Sequence, residues 1–155
     1  MEKQKADIEQ LLAEGQVIQL KPRGTSMYPM FVEGRDEAVI APLKKIIQAD
    51  GSLRLRRGDV VLYRREDGIL VLHRICRCAR EGYYLVGDHQ SVEEGPIRDD
   101  QIRGILTGFI RRGNYCSVRH PVYLLAVRIW LILLPVRPKI TRALYRIKRS
   151  ISEEK

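Results

Sequence analysis

Between Val17 and Val118 the chain breaks into short apolar runs separated by turn residues, and this spacing restricts it to a fold of many short strands. Val17–Leu20 ends at Lys21-Pro22, and Ala38–Ala41 is closed by Pro42. Asp59–Tyr63 follows the turn signal Arg57-Gly58. Ile69–Cys78 follows Glu66-Asp67-Gly68, so these two runs read as strand, turn, strand. Tyr83–Val86, Ile102–Ile110 and Asn114–Val118 complete the set. Ahead of them, Ile8, Leu11 and Leu12 in Ala6–Glu14 are spaced for one helix face, with Gly15 as a stop. With 155 residues and no internal repeat, the expectation is one mainly β domain.

The chain changes character at His120-Pro121. Val122–Leu134 is apolar on every side apart from Arg128, and Pro135 and Pro138 break it. Beyond the break, Ile140, Leu144, Ile147 and Ile151 share one helix face, while Lys139, Arg142, Arg146 and Arg149 fall elsewhere. The organisation read from sequence is therefore an N-terminal helix in 1–16, a β domain in 17–118 and a helical tail in 119–155.

Charge follows the same boundary. Residues 1–118 carry 19 Lys/Arg and 17 Asp/Glu, a net of +2, whereas 119–155 carry 9 and 2, a net of +7. A nearly neutral body with a cationic appendage points to a polyanion at one end. Nucleic acid accounts for the cations but not for the apolar run before them, so an anionic membrane surface is the partner expected. Trp130, Lys139, Arg142 and Arg146 are its contact residues, with the cations on the cytoplasmic side. Residues 122–136 as a helix would extend about 22 Å, short of a hydrocarbon core of about 30 Å. Residues 1–16 lack a signal-peptide pattern, having only Leu11–Ala13 as an apolar run. Three cysteines, two of them at 76 and 78, fit reduced thiols rather than a disulfide framework. Three cysteines also exclude a four-thiolate zinc site, and no metal or organic cofactor is expected.

The segment richest in chemistry is Gly24-Thr25-Ser26-Met27-Tyr28-Pro29. Glycine permits a tight turn and proline fixes φ, so Ser26 can be held with its hydroxyl exposed. A serine hydroxyl is a weak nucleophile and needs an adjacent base.

Five segments in order resemble the signal peptidase I group and its S24/S26 serine peptidase relatives. Gly24-x-Ser26-Met27-x-Pro29 is similar to the nucleophile box, and Arg57-Gly58-Asp59-Val60-Val61 to a strand opening of the family. Val71-Leu72-His73-Arg74-Ile75 resembles the box of the general base in its histidine form, found in endoplasmic-reticulum and archaeal enzymes. Gly87-Asp88-His89-Gln90 through Glu94 resembles the Gly-Asp-Asn box, and Asp100-Gln101-Ile102-Arg103-Gly104 the closing segment. The resemblance covers about residues 22–110 and implies a mainly β serine endopeptidase that cleaves a leader or signal-like segment of a peptide or protein substrate. It implies Ser26 as nucleophile and His73 as general base. An unperturbed imidazole titrates near neutrality and suits that task. Asp88 is the first-ranked carboxylate to orient the imidazole and Glu93 the second; Glu93 and Glu94 stand where the family usually has aspartate. Gly24 replaces a side-chain oxyanion donor of the bacterial enzymes, which leaves the Ser26 backbone N–H and Thr25 for that role. The rival readings are a non-catalytic β module tethered to membrane or nucleic acid by its basic tail, and a relative of self-cleaving repressors. The second is disfavoured because 1–16 is too short for a DNA-binding domain and those proteins use lysine as base.

Overall fold

Each of the seven apolar runs forms a strand in the computed structural model, which describes residues 2–137, 139 and 140. The helix α1 (Glu2–Ala13) precedes β1 (Ile18–Leu20), β2 (Asp36–Pro42), β3 (Val60–Arg64), β4 (Leu70–Ala79) and β5 (Gly82–Val86). Then come β6 (Glu94–Ile97), β7 (Ile102–Arg111), β8 (Asn114–Ser117) and α2 (Pro121–Ile132). All pairings are antiparallel, in the order β1-β2-β7-β3-β4-β5-β6, with β8 also paired to β7. The protein is thus mainly β, with a short N-terminal helix and a C-terminal helix, as the sequence predicts. The eighth strand, β6, is an addition: Glu94-Gly95-Pro96-Ile97 contains no apolar run, yet it pairs with β5 at the sheet's margin, where proline is tolerated.

Side chains alternate along the strands and build two cores. Val60 and Leu62 of β3 join Ile40, Leu106 and Phe109 in a cluster closed by Leu12 of α1 and by Met27 and Phe31 of the serine segment. Val61 and Tyr63 face the other way, with Ile75, Leu85, Ile97 and Ile102. The first core meets the helix α2 at Tyr123, whose ring lies 5.8 Å from that of Phe109, and further along the helix Val127 and Leu131 pack on Cys76 and Val86. The approach is close at Gly58, where a Cβ would lie 3.4 Å from Val127 and where φ is +102°.

Trp130 is a correction to the sequence reading. It belongs to the inward side of α2, its indole N–H donating to the Asp88 carbonyl at 3.1 Å and its ring lying 4.7 Å from the Arg137 guanidinium. The opposite side of α2 is apolar and open: Val122, Leu125, Ile129 and Ile132 are all exposed. No helix among the described residues is long and apolar enough to cross a membrane. Lys139 is exposed, while Arg142, Arg146 and the rest of the basic amphipathic segment lie outside the described residues.

Candidate active site

Ser26 sits in the turn between β1 and β2. Thr25 O accepts from Tyr28 N at 3.0 Å, and Met27 O accepts from Phe31 N at 2.8 Å, which winds the chain tightly around the serine. Met27 and Phe31 anchor this turn in the first core, so the position of Ser26 follows from burial of its neighbours. A second hold comes from the β5–β6 loop, where His89 N–H donates to Ser26 O at 2.8 Å. Gly87 makes the approach possible: a Cβ there would lie 2.6 Å from Ser26 O and 2.8 Å from Gln90 Oε1. Two of the boxes read from sequence are therefore in direct contact.

His73 lies on β4, opposite Val61 of β3. His73 and Ser26 line one cleft of about 970 Å³. Ile8 and Leu11 of α1 and Leu20 of β1 form an apolar side of this cleft, and Arg65 and Gln90 contribute polar groups. Among the described residues no hydrogen bond joins Ser26 Oγ to the imidazole, and the Ser26 backbone N–H has no acceptor. Thr25 is exposed and is not part of the cleft wall, so the structure does not bring its hydroxyl to the site.

The acid differs from the expectation. Asp88 does not touch the imidazole; it is fully buried against Arg74, whose Nε and Nη2 donate to its two carboxylate oxygens at 2.8 and 2.7 Å. The register explains this. Arg74 stands opposite Val86, so Asp88, two residues on, falls on the side of Arg74, and His73 points to the other face. Arg74 also donates to Gly58 O at 2.8 Å, so the pair joins β4, the turn before β3 and the loop that holds Ser26. Glu93 is likewise removed from the site, pairing with Arg77 at 3.5 Å on the surface.

The carboxylate nearest His73 is Glu94, and it acts across a residue that the sequence reading did not single out. Tyr63 OH donates to Glu94 Oε2 at 2.7 Å and lies 3.2 Å from His73 Nδ1, whereas Glu94 Oε2 itself is 3.8 Å from that nitrogen. Arg65 donates to both oxygens of Glu94, through Nη2 at 2.6 Å and through Nε. The hairpin carries a signal for this arrangement. A tight turn at Asp67-Gly68 pairs Tyr63 with Val71, which makes Tyr63 the diagonal neighbour of His73 on one face.

Burial sets the electrostatics. It pushes the His73 imidazole down to about 4 against the opposing pull of Glu94, with Arg65 reinforcing the fall. Burial pushes the Glu94 carboxyl up, but the hydrogen bonds from Arg65 and Tyr63 outweigh it and leave the group below its ordinary range. Burial and the adjoining Glu94 carboxylate both raise the Tyr63 hydroxyl far above its usual value. At neutral pH the site holds a neutral imidazole, an intact phenol and an ionised carboxylate neutralised by Arg65. No group of histidines, cysteines and carboxylates among the described residues is arranged to hold a metal ion.

A scan against protein-family models finds no match to this chain, and a search of the curated proteins finds none either.

Proposed function

We propose that the protein is a serine endopeptidase of the signal-peptidase type, with Ser26 as nucleophile and His73 as general base. The observation that carries this reading is that Ser26 and His73, far apart in sequence, line one cleft while the Gly87–Gln90 loop grips the serine from behind. In the reaction, substrate binding brings Ser26 Oγ within about 2.6–3.2 Å of His73 Nε2. The hydroxyl passes its proton to that nitrogen as oxygen attacks the scissile carbonyl. The Ser26 backbone N–H donates to the developing oxyanion. Proton return from the imidazolium releases the amine and leaves an acyl-enzyme, which water then hydrolyses with His73 again as base. β1 stands at the end of the sheet order, and Gln19 to Arg23 border the cleft, which favours an extended peptide laid beside that strand.

Labelling with a fluorophosphonate, together with cleavage of a peptide library read by mass spectrometry, tests the proposal. The wild-type protein is expected to cleave and to carry the label on Ser26, and Ser26→Ala to lose both. His73→Gln should slow cleavage by about 100-fold to 10,000-fold, the usual contribution of a positioned base. Equal labelling of Ser26→Ala, or no cleavage of any peptide by the folded wild-type protein, would overturn it.

We infer further that the enzyme works at an anionic membrane surface, on its cytoplasmic face. The support is the open apolar side of α2, with Arg128 and Lys139 exposed near it and five further cations in the sequence from Arg142 onward, Lys155 among them. This reading uses the side of the helix opposite Trp130. Flotation with liposomes containing anionic lipid is expected to carry the wild-type chain upward. The double substitution Leu125→Gln, Ile129→Gln should remove about 3–6 kcal/mol of apolar burial and leave the protein at the bottom of the gradient. Equal flotation of the double variant would exclude α2 as the contact.

A further inference from the structure

We propose that Tyr63 is a positioning residue: its hydroxyl, interposed between His73 and Glu94, holds His73 in the Nδ1–H tautomer and so turns a bare Nε2 toward the cleft. The part of this concerning Ser26 rests on the peptidase reading, but the tautomer does not.

The number of protons available decides the tautomer. A tyrosine hydroxyl has one hydrogen and two acceptor sites. Glu94 is ionised and forked by Arg65, and a carboxylate accepts only. The Tyr63 hydrogen therefore goes to Glu94 Oε2, along the shorter contact of 2.7 Å. Its oxygen then faces His73 Nδ1 at 3.2 Å with lone pairs. A bare Nδ1 at that distance would set acceptor against acceptor, with a side chain only 3% exposed and hence without water to mediate. The stable arrangement has Nδ1–H donating to the tyrosine oxygen, which fixes Nε2 as the unprotonated nitrogen. Glu94 cannot do this alone, because its oxygen is 3.8 Å from Nδ1. The chain of donors from His73 through Tyr63 to Glu94 also runs in the direction that accommodates an imidazolium when Nε2 takes a proton.

The polarity of the chain can be reversed without changing its shape. With Glu94→Gln, the amide oxygen can still accept from Arg65 while its NH2 faces Tyr63 and donates. The tyrosine hydrogen is then free to point at His73 Nδ1, and the ring proton is driven to Nε2. Tyr63→Phe removes the acceptor altogether and releases the constraint.

Nitrogen-15 NMR of the imidazoles at pH 7.5 reads this directly, with His73→Gln identifying the resonance among the three histidines. The wild-type protein is expected to show a protonated Nδ1 and a bare Nε2 at His73. Glu94→Gln should interchange the two shifts, and Tyr63→Phe should give a mixture. In parallel, both variants should cleave peptides about 100-fold more slowly at nearly unchanged KM, the scale of loss for a misplaced reacting group. A wild-type His73 protonated at Nε2, or an unaltered tautomer in both variants, would overturn the proposal. Interchanged tautomers in a protein that Ser26→Ala shows to be no peptidase would uphold the positioning role and reject the peptidase reading alone.

Discussion

Asp88→Asn is expected to lower the melting temperature by roughly 6–20 °C, the equivalent of about 3–5 kcal/mol for a domain of this size, because it leaves Arg74 as an uncompensated buried charge. Both side chains are shut away from solvent, and the guanidinium spends two donors on the carboxylate. The pair fastens more than two strands. Arg74 also donates to Gly58 O and to Tyr123 OH, and the Asp88 carbonyl accepts from the Trp130 indole and the Arg137 guanidinium. The helix α2 and the Gly87–Gln90 loop are therefore held by one junction. Thermal unfolding followed by circular dichroism checks the expectation, and a shift below about 2 °C would contradict it. Joint replacement of both residues, Arg74→Met with Asp88→Leu, should recover much of the loss, since paired apolar side chains of similar volume often match a buried ion pair. The contrast with Glu93→Gln is sharp: its partner Arg77 is on the surface, where removing one ion pair costs about 0–1 kcal/mol.

The mainly β fold was legible because glycine-bounded apolar runs leave few alternatives, and β3, β4 and β7 lie within a residue or two of their sequence limits. What escaped depends on register. His73 and Arg74 are neighbours in sequence but point to opposite faces of β4, and that alone decides that Asp88 meets Arg74 rather than the imidazole. Glu93 and Glu94 differ in the same way, and pairing of Leu85 with Glu94 selects the second for the site. Ser26 and His73 were legible as residues of suitable chemistry, whereas Tyr63 and Arg65 were not, since neither type suggests catalysis without its partner. In α2 the all-round apolar pattern did not separate a buried side from an open one, and the cationic tail turned the reading toward lipid. The division into an inward side bearing Tyr123, Val127 and Leu131 and an open side bearing Leu125 and Ile129 arises from contact with Cys76 and Val86, which lie far from it in sequence.

Acid should weaken the fold through His73 well before the ordinary carboxylates protonate. Burial takes the imidazole from 6.5 down to about 4 in the folded chain. Above pH 6.5 the group is neutral in both states and contributes no pH dependence. Between 6.5 and 4 the unfolded chain binds a proton that the folded chain refuses, so stability falls as pH falls, by about 3 kcal/mol from this group once pH is below 4. The charged groups acting on the ring are Glu94 and Asp88, which favour its protonation, and Arg65, which opposes it; burial outweighs them together. Two other acids, half-buried Asp59 and buried Asp36, act differently. Burial raises Asp59, so acid on that group favours the folded state. Asp36 is lowered to about 2, its hydrogen bonds from Arg35 and Arg111 outweighing burial, so its stabilisation is lost only between about 3.8 and 2. Urea unfolding of the wild-type protein and of His73→Gln at pH 7.5, 5.5 and 4.5 separates these effects, because the other groups are common to both. The wild-type protein should lose stability more steeply over that range, and equal slopes would show that the imidazole is not held neutral by its surroundings. The same depression places the acid limb of kcat/KM near pH 4 instead of 6.5, since a base that stays unprotonated in the free enzyme remains competent there. An acid limb at 6.5 in a protein whose unfolding slopes do differ would assign the rate-controlling proton to a group other than His73.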